Sequence, residues 1–154
     1  MPSKSLVNPT GVEAGVVDLG SQFVSVQFDP AGSGVILNGQ IVKFKATSVG
    51  LAGEPVGILT TTTGDFAFIG VAVNAPAGGY TPGQVMQLQT DGVCSVLMDA
   101  VNTVEGQLCI QSALTAGAGS NSATATLGKT LGVVLQTQTI ASGVLPTLVY
   151  LRIM

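Results

Sequence analysis

The sequence contains no histidine and no tryptophan, and it carries only five basic and eight acidic residues in 154 positions. Without imidazole there is no Ser-His-Asp or Cys-His relay, and no zinc or iron site of the kind that relies on histidine. Two cysteines, Cys94 and Cys109, do not hold a structural zinc ion by themselves. Both fall at strand-like apolar positions, where cysteine behaves as a small hydrophobe. The reading therefore includes no metal and no cofactor. The five cations, Lys4, Lys43, Lys45, Lys129 and Arg152, are scattered along the chain. A phosphate backbone or an anionic membrane is bound by clustered cations, so neither nucleic acid nor membrane is an expected partner. No run approaches the roughly 18 consecutive apolar residues of a membrane-spanning helix. The opening Met1-Pro2-Ser3-Lys4-Ser5-Leu6-Val7-Asn8-Pro9 lacks the apolar centre and small-residue cleavage site of a secretory signal. These features predict a chain made in a cytosol, with reduced thiols.

The carboxylates and the one phosphate-loop fragment have ordinary explanations. Asp29 precedes Pro30, Glu54 precedes Pro55, Asp65 follows Gly64, Asp91 precedes Gly92 and Glu105 precedes Gly106. Such positions are turn chemistry, in which a carboxylate bonds its own backbone. An acid-pair hydrolase would instead need two of Asp65, Asp91, Asp99 and Glu105 to converge in a cleft. Gly128-Lys129-Thr130 matches the end of a phosphate-binding loop, but the first glycine of G-x-x-x-x-G-K-[ST] falls at Ala123. The residues that follow, Leu131-Gly132-Val133-Val134-Leu135, read as a strand and not as the helix that would aim its amides at phosphate. The expectation is a protein that is not an enzyme.

What is present is apolar, small and β-forming. Hydrophobic residues reach 46% and the mean hydropathy is +0.57, whereas charged residues are 8% against roughly 25% in an average domain. A solitary soluble molecule needs a wetter exterior, so much of the surface is expected to be covered by copies of the chain or by another protein. Nowhere do 10 or more residues repeat with the helical period. The 21 glycines and the recurring turn signals point to an all-β sandwich or small barrel.

In chain order, residues 1–20 are broken by Pro2, Pro9, Gly11, Gly15 and Gly20 and read as an extended arm ordered against a partner. Residues 21–154 read as a single β domain. Ser21 to Phe28 alternates as a strand, with Phe23, Ser25 and Gln27 on one face and Val24, Val26 and Phe28 on the other. Asn38-Gly39 and Asp91-Gly92 are read as hairpin turns. Lys43 and Lys45 are read as a solvated face suited to a sheet edge. Val56 to Thr63 starts as a buried strand and ends in threonines. A short helical turn is considered near Asp99 to Val104. Ala116 to Thr126 is read as a low-complexity, exposed and flexible segment. The stretch Phe68 to Gln111 organises the rest, with strands starting at or near Gly70, Gly83 and Gly106. Gly128 to Thr139 echoes Ile69-Gly70-Val71-Ala72-Val73, and Leu148 to Ile153 closes the chain.

Taken together, Ile69-Gly70-Val71-Ala72-Val73, Pro82-Gly83-Gln84-Val85-Met86-Gln87-Leu88, Asp91-Gly92-Val93, Glu105-Gly106-Gln107-Leu108, Leu131-Gly132-Val133-Val134-Leu135 and Leu148-Val149-Tyr150-Leu151-Arg152-Ile153 form an ordered pattern. From about Gly39 to Ile153 that order resembles the small decoration proteins, also called cement or head-stabilisation proteins, of tailed bacteriophages. The resemblance implies a small β-barrel or β-tulip-like domain with an extended N-terminal arm. It also implies a virion location on the outer surface of the expanded capsid, after synthesis in the host cytoplasm. The implied partner is the major capsid protein, with a homotrimer favoured and a dimer as the variant. Capsid contact through an N-terminal arm places it here on Lys4, Leu6, Val7, Asn8, Pro9 and Val12. The other reading is a virion- or cell-surface β-sandwich module that recognises a host carbohydrate or protein. That role calls for an exposed aromatic platform, and Tyr80 and Tyr150 are poor material for one.

Overall fold

The computed structural model describes residues 20–49, 55–61, 68–99, 102–124 and 130–152. Every regular element among them is a strand. The longer ones are β1 (Gln22–Phe28), β2 (Ile41–Val49), β3 (Pro55–Leu59), β4 (Phe68–Val73), β5 (Val85–Met98), β7 (Leu108–Gln111), β8 (Gly119–Ser122), β9 (Thr130–Val134) and β11 (Leu145–Arg152). The two short ones, β6 (Asn102–Thr103) and β10 (Gln138–Thr139), pair only with each other.

The nine longer strands run in the order β1-β3-β2-β4-β5-β11-β9-β7-β8, and β5 also pairs with β1 and with β8. The first extra pairing closes β1, β3, β2, β4 and β5 into a five-stranded barrel. The second closes β5, β11, β9, β7 and β8 into another ring through the bridge between Met98 and Gly119. The 14-residue β5 belongs to both. Alternation along it sets the two interiors: Met86 and Leu88 join Phe28, Val42, Ile69 and Ala72 in the barrel, while Cys94, Val96 and Met98 join Cys109, Leu131, Val149 and Leu151 in the ring. Ile41 and Val71, directly paired on β2 and β4, turn away from the barrel interior and complete the second cluster. The all-β, barrel-containing domain expected from the sequence is therefore present.

Five local expectations are corrected. Asp91-Gly92 is no hairpin, because β5 runs straight through it. Partner β11 keeps register across it, with Leu151 opposite Gly92 and Arg152 opposite Asp91. Partner β1 slips by one residue between Gln22 and Phe23. Thr90 is thereby left without a partner on β1, a bulge at the place where β5 passes from one ring to the other, and Gly92 two residues on has φ 89°. The carbonyls of Asp91 and Val93 are met by the buried amide of Gln89, which donates to them at 3.0 and 2.9 Å.

Asn38-Gly39 does turn the chain, with Gln40 N–H donating to Leu37 C=O at 3.2 Å, but it joins no hairpin. Ile36 is bridged to Tyr80 instead, and Ala75 N–H donates to Asn38 Oδ1 at 2.8 Å. The lysines do not mark an edge, since β2 lies between β3 and β4. Lys45 donates to Asp29 Oδ2, and Lys43 and Lys45 are both half-buried.

Ala116 to Thr126 is ordered over its described part. Gly117, Ala118 and Gly119 are buried and β8 follows directly. A Cβ on Gly119 would lie 2.6 Å from Met98 Sδ and 3.1 Å from Cys109 Sγ. The small residues there are a packing requirement. The helical turn near Asp99 to Val104 is replaced by β6 over Asn102–Thr103. In the threonine run, β3 ends at Leu59 and Thr60 is buried.

The echo between Ile69-Gly70-Val71 and Leu131-Gly132-Val133 has a shared physical cause. A Cβ on Gly70 would stand 2.6 Å from Gln89 C=O, and one on Gly132 would stand 1.9 Å from Tyr150 C=O. Each glycine lets its strand press against the backbone of the next.

A candidate assembly surface

Three of the carboxylates that the sequence singled out, Asp29, Asp91 and Asp99, are engaged by neighbouring groups. Asp29 accepts from Ala31 N–H at 3.0 Å and from Lys45; the lysine bond, ahead of the backbone bond, holds its carboxyl below the usual value. Asp91 lies 3.4 Å from the Tyr150 hydroxyl. Asp99 accepts from the Ser112 hydroxyl. Asp91 and Asp99 are eight residues apart on the same extended stretch, about 26 Å at strand rise, so these two do not converge. Asp65 and Lys129 lie outside the described residues, as do the arm residues Lys4, Leu6, Val7, Asn8, Pro9 and Val12.

Both thiols are interior. Burial pushes the Cys94 thiol up to about 11. Burial, with neighbouring Cys94 adding to it, pushes Cys109 to about 12. Cys109 Sγ sits 3.6 Å from Met98 Sδ. Among the described residues no group of three or more His, Cys, Asp or Glu could hold a metal, and no helix is long and apolar enough to cross a membrane. Tyr80 is buried, donating its hydroxyl to Val73 C=O at 2.7 Å and accepting from Gln87 N–H at 3.1 Å.

The conspicuous surface feature is apolar. On β11, Val149 and Leu151 point into the ring while Leu148 and Tyr150 point out. Tyr150 stands opposite Val93 of β5 on one side and Val133 of β9 on the other, and Val133 stands opposite Leu108 of β7. The result is a stripe, Val93–Tyr150–Val133–Leu108, crossing four strands at successive cross-strand positions. Val93 is 48% exposed and neighbouring Leu148 46%. Beside Tyr150 and Val133 the face sinks into a hollow of about 280 Å³ that Leu108, Thr130 and Gly132 also line, with Arg152 at its rim.

Reasoning from the sequence placed contact residues in the arm and missed this face. Its signal was present in Leu148-Val149-Tyr150-Leu151: a strand apolar on both sides is covered on both sides, and here only one side faces the core.

No protein-family model and no curated protein matches the sequence. Among solved structures, a chain of "The capsid of Myoviridae Phage XM1" superposes with a TM-score of 0.56 at 16% identity, over 89% of this chain and 87% of that one. The two chains share a fold. The likeness covers nearly the whole of both chains, so it embraces both rings and not a single common hairpin.

Proposed function

We propose that this chain is a structural protein of a bacteriophage virion, and more specifically a decoration protein without enzymatic activity. It binds the outer surface of the expanded capsid and clamps neighbouring major capsid protein subunits, with Lys4, Leu6, Val7, Asn8, Pro9 and Val12 of the arm making shell contacts. The observation that carries the reading is the near-full-length likeness of fold to a chain of a phage capsid. The low charge and the uncharged, partly apolar exterior add to it, since such a surface is stable in water only when largely covered. Association as a homotrimer makes physical sense for a clamp. Each standard contact buries about 800 Å² per partner, and three linked contacts raise avidity by orders of magnitude without a tighter single site.

The test is add-back. Expanded shells stripped of the protein are heated with and without the purified chain, and disruption is followed by light scattering. The reading predicts a higher disruption temperature when the chain is present. Identical curves with no bound protein would reject it.

A further inference from the structure

Over its first five residues β1 has an open edge. On one side it pairs with β5 from Gln22 to Gln27. On the other it meets β3 only at Gln27 and Phe28, so residues 22–26 have no strand beside them on that side among the described residues. The end of the strand shows which backbone groups point there. Phe28 donates to Gln84 C=O at 2.8 Å and accepts from Gly83 N–H at 3.0 Å on the β5 side, whereas Asp29 N–H donates to Gly57 C=O at 3.1 Å on the β3 side. Successive residues of a strand turn their backbone groups to opposite edges, so Phe23 and Ser25 aim N–H and C=O outward. Sheet edges are ordinarily blunted by lysine, proline or an inward charge, and residues 22–26 contain none of these. Phe23 is 47% and Val24 39% exposed.

We propose that this edge is a self-association site, at which residues 22–26 pair antiparallel with the same residues of a second copy across a two-fold axis at Val24. The register follows from the outward groups. Phe23 of each copy stands opposite Ser25 of the other as a hydrogen-bonded pair, and the four backbone bonds so made use every outward group of both residues. Val24 then faces its own copy as the non-hydrogen-bonded pair between them. β3 occupies the edge from Gln27 onward, which ends the pairing on both sides of the axis. A two-fold contact brings a surface against itself, and residues 22–26 carry no charge to repel their copy. The nearest charge, Asp91 opposite Gln22, has Arg152 opposite it on its other side. A strand pair of five residues, about 17 Å long, is smaller than the standard contact of about 800 Å² per partner, so the dimer forms reversibly, at micromolar concentrations or above. Strand pairing of this kind joins copies two at a time, and the inference stands apart from three-fold association and from shell binding.

The test is disulfide trapping of the full chain in the absence of shells. Cα atoms of a non-hydrogen-bonded pair lie about 4.5 Å apart, within reach of a disulfide, so Val24→Cys should link two copies under mild oxidation. Gln22→Cys is the control, because the axis puts it about 14 Å along the strand from its counterpart. The native Cys94 and Cys109 are buried. At equal protein concentration the Val24→Cys dimer should form roughly tenfold faster than the Gln22→Cys dimer or more. Adding Ser25→Pro removes an outward donor without touching the β5 side, and should bring the rate down to that of the control. Ser25→Lys keeps the donor but sets two ammonium groups about 7 Å apart across the axis, and should slow the reaction as well. Circular dichroism of each variant checks that the β domain is intact. Equal rates for Val24→Cys and Gln22→Cys, no disulfide dimer, or a Val24→Cys rate that neither Ser25 change lowers would overturn the proposal. Any of these results leaves shell binding to be decided by add-back.

Discussion

At the scale of single residues, two glycines with different reasons to be glycine make a graded test. A Cβ at Gly132 would stand 1.9 Å from Tyr150 C=O, a backbone atom that cannot swing aside. At Gly143, φ is 69° but nothing lies within 4 Å of the added Cβ. Gly132→Ala should therefore cost about 3 kcal/mol or more by overpacking. Gly143→Ala should cost only about 1 kcal/mol, from the left-handed backbone alone. Urea denaturation of the two variants checks the order; a larger loss at Gly143 would mean the close approach of β9 and β11 is not what fixes Gly132. The thiols provide a second test. With Cys94 near 11 and Cys109 near 12, both remain protonated at neutral pH, and a thiolate is the reactive form. A thiol-specific reagent should label neither in the native protein and both after unfolding. Rapid labelling of native Cys109 would contradict its place in the core.

At the scale of elements, β5 is the member on which both rings depend, and Gln89 ties together the stretch where it passes from one to the other. Replacing that amide by leucine leaves the carbonyls of Asp91 and Val93 without their donor. Losing such side-chain hydrogen bonds at a partly exposed site costs about 0.5–1.5 kcal/mol. Gln89→Leu should thus lower stability by an amount in that range, measured by denaturation, whereas a neutral result would show that water serves the bulge equally well. This stretch also explains why strand positions were legible in the sequence and their connections were not. Alternation identified the material of β1, β4, β5, β9 and β11, because side-chain periodicity is local. Asp-Gly is a turn signal only when the flanking strands pair with each other; here β1 and β11 pair with Asp91 from its two sides, and the left-handed glycine is carried within the strand. Ala116 to Thr126 was misread for a related reason. Small residues look like a flexible linker in sequence, yet Gly119 is small because Met98 and Cys109 lie against it. Gly119→Val is expected to open the second ring at its closing bridge, seen as faster amide exchange in β8 with β1 to β4 still protected. Unchanged exchange would show that the bridge does not hold the ring shut.

At the scale of the whole molecule, the stripe across β5, β11, β9 and β7 was not read from the sequence. The strand pattern of Leu148 to Leu151 carries the signal of an apolar second face, but its continuity depends on cross-strand partners that are distant in sequence, such as Val93 and Leu108. Deleting residues 1–20 should leave a folded β domain, because both closed rings are built from Gln22 onward. The truncated chain should show the same far-ultraviolet circular dichroism signature and a weaker hold on shells. Loss of folding would instead make the arm part of the core. The most direct measurement is saturation binding of the purified full chain to expanded and unexpanded shells, with bound protein quantified after sedimentation. Binding that saturates at a fixed ratio to the major capsid protein on expanded shells is the predicted result. Failure to bind either form, at concentrations where the chain itself remains soluble and folded, would contradict a role in holding the phage head together.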